Sequence, residues 1–422
     1  MDGARHGGDA MIHELERAGT DPAAIRLQPI VGQPGPGQPR AGAGGARPGG
    51  GLDPALGQVV LVLQGGGALG AYQVGVYRAL HEAGIEPDWV VGTSIGAINA
   101  ALIAGNAPEH RLERLAAFWR AVEHGPLHRL WGACPWLGPM GATLATLAGG
   151  LPGFFRPNPY AFLGPLMPLG AEQAGYYDTA PLRATLAGLI DLERIRRRAT
   201  RLTVGAAHVG TSEMRYFDSR DMTLDLRHIL ASGALPPAFP AVRIDGELYW
   251  DGGILSNTPV EAVFDDRPRR SSVIFAVHMW HPDGAEPGTI AEVLGRQKNL
   301  QYSSRAASHI ARQKQIHRLR HIIAELARRL PEAERQDPAM QELAGYGCLT
   351  RMHVVRLLAP VIEGEDHTKD IDFSAAGIGQ REAAGHADMR RMLATAPWAG
   401  EFDPIEGFIL HEARPGMVLT AA

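Results

Sequence analysis

The sequence has few cysteines and no long apolar segment, and both absences limit what the protein can be. Its 422 residues include only Cys134 and Cys348, which is too few for a disulfide framework and favours a reducing compartment. No uninterrupted helix-forming apolar segment reaches the roughly 20 residues needed to span a bilayer. The first 14 residues are rich in charge and contain no apolar core of a secretory signal. We therefore expect a cytoplasmic protein whose contact with a membrane is at most peripheral.

An excess of positive charge is also missing. The formal net charge is -4 at pH 7, which argues against a nucleic-acid partner, because proteins that bind nucleic acids usually carry a surplus of Lys and Arg. No tight cluster of His, Asp and Glu has the spacing of metal ligands. We therefore predict neither a metal nor another cofactor. The apolar share of 45% is ordinary for a globular protein and suffices for a large core.

Three regions of different composition follow one another. Residues 1–56 are mostly a mixture of Gly, Pro, Ala and Arg that cannot offset its chain entropy by burial, which predicts a disordered tail in which residues 11–27 can form a short helix. Residues 57–283 alternate strand and helix patterns and predict an α/β domain. Residues 284–422 predict a partly helical extension that packs on this domain, with a strand over 352–358 that can extend its sheet.

The folded region opens with a β-α-β-α pattern. The continuous apolar run 58–63 is typical of a strand that is covered on both faces, as in a parallel sheet. A glycine-rich turn at 65–70, a helix over 71–83 and a second strand over 88–92 follow. Parallel strands joined by a helix present their carboxyl ends at the same edge of the sheet. The glycine-rich turn should therefore lie beside whatever follows the second strand.

A serine between two glycines follows that second strand. The sequence Gly92-Thr93-Ser94-Ile95-Gly96 stands directly before a helix predicted over 97–104. At a strand-to-helix turn, Gly-x-Ser-x-Gly presents the serine at the apex of a tight turn and at the positive end of the helix dipole. The pattern indicates a nucleophile. The alternative is a serine that only caps a buried helix.

The glycine-rich turn Gly65-Gly66-Gly67-Ala68-Leu69-Gly70 has two interpretations. A dinucleotide-binding loop would require an acidic residue about 20 residues further on, and none is present there. The other interpretation is an oxyanion hole made of main-chain N–H groups beside the serine. We favour the oxyanion hole because it assigns both glycine motifs to one reaction.

A candidate carboxylate occurs much later in the chain, in Trp250-Asp251-Gly252-Gly253. An aspartate between apolar residues and two glycines can be presented from a strand end into a cleft, or it can belong to an ordinary turn. The local sequence leaves both readings open.

Two further segments bear on the substrate. Residues 130–171 are rich in aromatic residues and proline and carry one charge, Arg156, which predicts a lid or lipid-facing rim over a site or, alternatively, a buried packing segment. Residues 293–324 carry basic side chains and no acidic one, which predicts a helix that docks on anionic lipid or one whose charges face solvent or acidic parts of the domain. The basic residues of this helix are Arg296, Lys298, Arg305, Arg312, Lys314, Arg318 and Arg320.

The glycine-rich turn at 65–70, the Gly-x-Ser-x-Gly motif at 92–96 and the Asp-Gly-Gly motif at 251–253, in this order, resemble the patatin-like phospholipase family. The stretch from Ala231 through Ser232 to Pro240 and the sequence Asn257-x-Pro259 are similar as well, so the resemblance spans about residues 59–277. It implies a three-layer α/β/α sandwich around a mainly parallel sheet, with residues 57–283 as the catalytic domain.

The resemblance also implies a Ser-Asp dyad that hydrolyses a lipid or other acyl ester without a cofactor. Ser94 matches the nucleophile and Asp251 the base. The matching oxyanion-hole residues are Gly65, Gly66, Gly67 and Ala68, and the residues that support the motifs are Gly70, Gly92, Gly96, Gly252, Gly253 and Asn257.

Several alternatives remain at this point. His278, His353 and His386 follow Ser94 in an order that is compatible with a Ser-His-Asp esterase. A noncatalytic lipid-binding module or an acyltransferase could have the same fold, and storage polyesters could be the acyl-ester substrate.

Overall fold

The computed structural model describes residues 51–125, 138–403 and 405–412. The predicted tail up to residue 50, with its short helix over 11–27, lies outside the described residues. Residues 130–137 of the aromatic segment and Cys134 lie outside them as well.

Strands and helices alternate through most of the described chain. The strands are β1 (Gln58–Leu63), β2 (Trp89–Thr93), β3 (Arg156–Pro157), β4 (Tyr177–Asp178), β5 (Arg201–His208), β6 (Met214–Asp218), β7 (Val242–Ile244), β8 (Glu247–Asp251), β9 (Ser272–His278), β10 (Met352–Leu358) and β11 (Phe408–Glu412). The α-helices are α1 (Ala71–Glu82), α2 (Ile95–Ala104), α3 (Pro108–Ala121), α4 (Gly138–Gly149), α5 (Ala180–Leu189), α6 (Leu192–Arg196), α7 (Leu226–Ser232), α8 (Glu261–Phe264), α9 (Ile290–Arg329), α10 (Glu332–Arg335), α11 (Pro338–Ala344) and α12 (Ala375–Thr395). Short 3₁₀ turns lie at Pro54–Leu56, Gly67–Gly70, Pro159–Leu163, Gly252–Ile254, Lys369–Ile371 and Pro397–Ala399.

One mixed sheet organises the described residues. Its strand order is β11-β10-β9-β1-β2-β5-β8-β7, and β6 pairs with β5. From β11 to β5 neighbouring strands run parallel, whereas β6 and β8 are antiparallel to β5 and β7 is antiparallel to β8. The predicted α/β fold with a mainly parallel sheet is confirmed.

Helices cover both faces of this sheet because its central strands are apolar on both sides. In β1, Leu61 and Leu63 belong to one core and Val60 and Val62 to the other, as expected when successive side chains point to opposite faces. Side chains of α1, α2, α3 and α12 fill the first core, and those of α8 together with Ile310 of α9 contribute to the second. The predicted three layers follow from this arrangement.

The C-terminal part of the chain extends the same sheet. Strand β10 pairs in parallel with β9, and β11 pairs in parallel with β10. Helix α12 packs along α1, where the Tyr72 hydroxyl donates to Asp388 at 2.8 Å and Arg78 pairs with Glu382. The boundary that the sequence suggests at residue 283 stays a prediction.

No helix in the described residues is both long enough and apolar enough to cross a membrane.

Candidate active site

Ser94 lies at the turn between β2 and α2 in a backbone conformation that few residues adopt. Its φ is 57° and its ψ is -128°. A positive φ is costly for a residue with a Cβ and persists only where the surrounding structure enforces it. The Ser94 N–H donates to Ser232 Oγ at 3.0 Å, and the Ser232 hydroxyl donates to the Gly205 carbonyl at 2.6 Å. The fully buried Ser232 thus anchors the turn to β5.

The two glycines of the motif let the helix begin directly against the strand ends. A Cβ on Gly92 would lie 2.3 Å from the Gly96 carbonyl oxygen, and a Cβ on Gly96 would lie 2.2 Å from that of Leu63. Neither neighbour can give way, because both atoms belong to the main chain. The glycine on either side of Ser94 is therefore required by close approach.

Asp251 is the last residue of β8 and lies at the wall of the same cavity as Ser94. Its carboxylate accepts a hydrogen bond from the Gly253 N–H at 2.7 Å and lies near enough to the Ser94 side chain to interact with it. The side chain is buried, and this burial raises the pKa of Asp251 to about 7, although the Ser94 side chain and the Gly253 N–H oppose the rise. Such a carboxyl can take up a proton near neutral pH, as a general base must. Gly252 follows directly and opens the short 3₁₀ turn.

Asn257 and Trp280 clamp the first residue of the glycine-rich turn. The Gly65 N–H donates to the main-chain carbonyl of Asn257 at 3.1 Å, and the side-chain Nδ2 of Asn257 donates back to the Gly65 carbonyl at 3.0 Å. Trp280 Nε1 donates to the same Gly65 carbonyl at 2.9 Å. The Gly65 N–H is therefore engaged within the protein, in contrast to the oxyanion role expected for it.

The next N–H groups of the turn are open. No acceptor among the described residues binds the N–H of Gly66, Gly67 or Ala68, which precede or begin the 3₁₀ turn. Gly66 and Gly67 line the cavity described below, whereas Ala68 is fully buried and does not. The Gly70 carbonyl accepts from Asn99 Nδ2 at 3.0 Å, which fixes the end of the turn.

Ser94, Asp251 and the glycine-rich turn open into one cavity of about 200 Å³. Most of its wall is apolar and aromatic, and includes Ile98, Leu147, Phe154, Phe155, Tyr177 and Phe239. The aromatic segment supplies part of this wall as a packing element, since Phe154 and Phe155 are buried in it. Leu144 and Leu166 of the same segment are 43% and 94% exposed, and its role as a lid or lipid-facing rim stays a prediction. The chemistry of this wall suits an uncharged hydrocarbon chain.

No histidine lines the cavity among the described residues. His278 is buried at the end of β9, and burial lowers its pKa to about 3. The ring of His353 hydrogen-bonds to that of His411 at 3.1 Å, and His386 bonds to Glu82 at 2.7 Å. The three histidines considered for a Ser-His-Asp arrangement therefore do not line the cavity.

The described residues contain no group of three or more His, Cys, Asp and Glu side chains that could hold a metal ion.

Sequence reasoning missed several residues around the cavity. Tyr302, Asp370, Ile371 and Phe373 line it, although they lie in the C-terminal part of the chain. No motif marks them, and the only sequence signal was the expectation that this part packs on the domain.

Known proteins are similar to parts of this chain. A patatin-like phospholipase domain-containing protein of Caenorhabditis elegans is 28% identical over 204 residues, which are 48% of this chain and 12% of the relative. Lysophospholipase nte1 of Aspergillus terreus is 63% identical over 49 residues, which are 12% of this chain and 3% of the relative. The crystal structure of VipD from Legionella pneumophila aligns with a TM-score of 0.36 and 13% identity, covering 80% of this chain and 67% of that one. The chain therefore spans a small part of the length of the Caenorhabditis elegans and Aspergillus terreus relatives.

Two family models match the chain in succession. The model described as patatin-like phospholipase matches residues 61–264, the part that carries Ser94, Asp251 and the glycine-rich turn. The model described as patatin phospholipase matches residues 300–405, which include Tyr302, Asp370 and α12. The chain belongs to the patatin-like phospholipase family.

Proposed function

We propose that the protein is a serine hydrolase that cleaves acyl esters of lipids, with Ser94 as the nucleophile and Asp251 as its base. One observation carries the proposal: Ser94 and the buried carboxyl of Asp251 lie together at the wall of one apolar cavity, where the serine side chain acts on the carboxyl. A serine hydroxyl is a weak nucleophile at neutral pH, so it needs a base that takes its proton during attack.

The reaction follows from these contacts. Ser94 Oγ attacks the ester carbonyl while its proton moves to Asp251, and the carbonyl oxygen becomes an oxyanion. The open N–H groups of Gly66 and Gly67, which line the cavity, donate to this oxyanion. The C–O bond to the alcohol then breaks, and Asp251 returns the proton to the leaving oxygen. Water attacks the acyl-enzyme with Asp251 again as base, which releases the acid and restores Ser94.

The cavity supports an acyl chain as the part of the substrate that is bound. The aromatic wall offers apolar contact and no cationic side chain among the described lining residues. Relatives are named phospholipases or lysophospholipases, so we propose phospholipids or lysophospholipids as the substrate class. The ester linkage of a storage polyester would undergo the same chemistry.

A panel of esters graded by acyl length tests the proposal. p-Nitrophenyl esters, monoacyl phospholipids and diacyl phospholipid vesicles should be hydrolysed, and the released acid should be detected by mass spectrometry. We expect the rate to rise with chain length until the cavity is filled, because each buried methylene contributes about 0.8 kcal/mol. A protein that hydrolyses no member of the panel would contradict the proposal.

We also propose that α9 contacts anionic membrane surfaces through a subset of its basic residues. Lys298 pairs with Asp370 at 2.6 Å and Lys314 with Glu406 at 3.3 Å. The charges of Lys298 and Lys314 are therefore largely neutralised by acidic residues of the same chain. Arg312 and Arg318 are exposed on the same helix and remain available for lipid phosphates.

Binding to vesicles that contain anionic lipid should fall when both arginines are replaced by glutamine. Each basic residue near such a surface contributes about 1 kcal/mol, so the double variant should bind roughly 30-fold more weakly at low salt. Sedimentation with vesicles measures this, and 1 M salt should remove binding of the natural chain. The pair Arg196→Gln and Arg197→Gln, on the exposed surface of α6, is the matched control. Equal binding of both double variants would exclude α9 as the contact.

A further inference from the structure

Part of the active-site wall comes from the far end of the chain. Asp370, Ile371 and Phe373 line the same cavity as Ser94 and Asp251. We call residues 365–373, which precede α12, the C-terminal strap.

The strap lies directly against the glycine-rich turn. A Cβ on Gly67 would lie 2.2 Å from the Asp370 carbonyl oxygen, and the φ of Gly67 is +56°. A side chain at position 67 would collide with this carbonyl, and the positive φ is a conformation that glycine adopts readily. Both constraints require glycine at this position. The turn is thus confined on two sides, by the Asn257 clamp on Gly65 and by the main chain of the strap at Gly67.

Helix α9 holds the strap mainly through Lys298, beside a longer bond from Lys369 Nζ of the strap to Asn299 Oδ1 of the helix at 3.4 Å. Lys298 Nζ donates to Asp370 Oδ1 at 2.6 Å and to the His367 carbonyl at 2.9 Å. The Lys298 and Asp370 side chains are 33% and 22% exposed, so water screens the pair less than it screens a surface pair. Lys298 therefore joins the strap to α9 beside the point where the strap touches Gly67.

Other parts of the strap have independent supports. Arg381 of α12 pairs with Glu365 at 3.1 Å and donates to the carbonyls of Lys369 and Asp372 at 3.2 and 3.0 Å. The Phe373 carbonyl accepts from the His124 N–H at 2.9 Å. Because these contacts do not involve Lys298, loss of Lys298 should loosen the strap at Asp370 without releasing it.

We propose that Lys298 and Asp370 form a positioning pair that holds the strap against Gly67 and so fixes the open N–H groups of the glycine-rich turn. The inference rests on the proposed function. Oxyanion donors stabilise the transition state only when they point at the developing charge, and loss of one costs about 10²–10³ in kcat. If the glycine-rich turn is loosened, its N–H groups point less well at the oxyanion, and kcat should fall by part of that 10²–10³ factor. The aromatic wall that binds the acyl chain stays in place, so KM should change little.

Replacing Lys298 by methionine tests the inference. We expect kcat on a soluble p-nitrophenyl ester to fall about tenfold, which is part of the cost of one lost donor, with KM within about twofold of the natural value. Lys298→Arg keeps the charge and should retain most of kcat. The matched control is Lys314→Met, because Lys314 lies on the same helix, also pairs with an acidic residue near the end of the chain, and does not line the cavity.

A double-mutant cycle separates positioning from general destabilisation. Asp370→Asn alone should lower kcat as Lys298→Met does, and the combined variant should be no slower than either single variant, because both changes remove one interaction. Should Lys298→Met fail to fold, Asp370→Asn, which conserves size, carries the same comparison.

The outcomes separate this inference from the proposed function. If the natural chain hydrolyses esters but kcat is the same in Lys298→Met and Lys314→Met, the positioning role is overturned and the proposed function stands. A rise in KM at unchanged kcat, or additive losses in the cycle, would overturn it as well. A natural chain without esterase activity would overturn both.

Discussion

Replacing Ser94 by alanine is expected to lower kcat for ester hydrolysis by at least about 10⁴-fold, the scale seen when a catalytic serine is removed from other hydrolases. The change deletes the proposed nucleophile, whose side chain acts on Asp251. A fluorophosphonate probe, which reacts with activated serines, should label the natural chain at one site and leave Ser94→Ala unlabelled. Peptide mass mapping would locate the label.

The control for this variant is another buried serine. Ser272 is fully buried at the start of β9, at the opposite end of that strand from the cavity, and its hydroxyl accepts from Gln58 at 3.1 Å. Ser272→Ala should keep both activity and labelling. If Ser94→Ala kept a tenth of the natural rate, Ser94 would not be the nucleophile.

Replacing Asp251 by asparagine is expected to lower kcat by about 10³-fold, within the range that general bases contribute. Asparagine keeps the shape and can still accept from the Gly253 N–H, but it cannot take the serine proton. Since burial raises the pKa of Asp251 to about 7, kcat of the natural chain should increase as the pH rises through about 7. The residual rate of the variant should lack this step, which steady-state kinetics from pH 5 to 9 would test.

The same carboxyl should make the fold less stable at high pH. Its pKa is about 7 in the folded protein against an ordinary value of 3.8, so the folded state binds more protons than the unfolded chain between these values. The free energy of unfolding therefore falls as the pH rises from about 4 to 7. Asp251→Asn removes this penalty. Its Tm should exceed that of the natural chain at pH 8 and match it near pH 4.

Activity and Tm measured together distinguish loss of the base from damage to the fold in Asp251→Asn. A damaged fold would lower the activity and the Tm together, whereas removal of a buried base lowers the activity and raises the Tm at pH 8. A natural chain with a flat pH profile, combined with no gain in Tm for the variant, would contradict the assignment of Asp251.

The fold could be predicted where the local pattern is strong. The strands predicted over 58–63 and 352–358 agree with the structure at both ends. Continuous apolar runs or strict turn signals at their ends define these elements.

Elements that depend on distant contacts could not be predicted. Strand β11 has five residues and pairs on one side only, which leaves too few positions for a periodic signal. The strap reaches the cavity through contacts such as Lys298 with Asp370, which are 72 residues apart. Nothing in the local sequence indicated that the Gly65 N–H would be taken by Asn257.

The candidate site was predictable to the level of its motifs. Gly-x-Ser-x-Gly indicated Ser94 from the residues themselves, whereas the role of Asp251 came from the family resemblance. Their meeting depends on the antiparallel pairing of Ala206 in β5 with Asp251 in β8, which no local pattern encodes.

The parallel pairing of β10 with β9 means that the region that carries Ser94 and Asp251 cannot be separated cleanly from the rest of the chain. Strand β9 is buried along its whole length, so a protein ending before β10 would present a bare, apolar strand with unpaired N–H and carbonyl groups. Such an edge recruits strands from other molecules. Self-association of the shortened protein would thus reflect a missing neighbour in the sheet, and a lost activity measured on it would carry no information about Ser94 or Asp251.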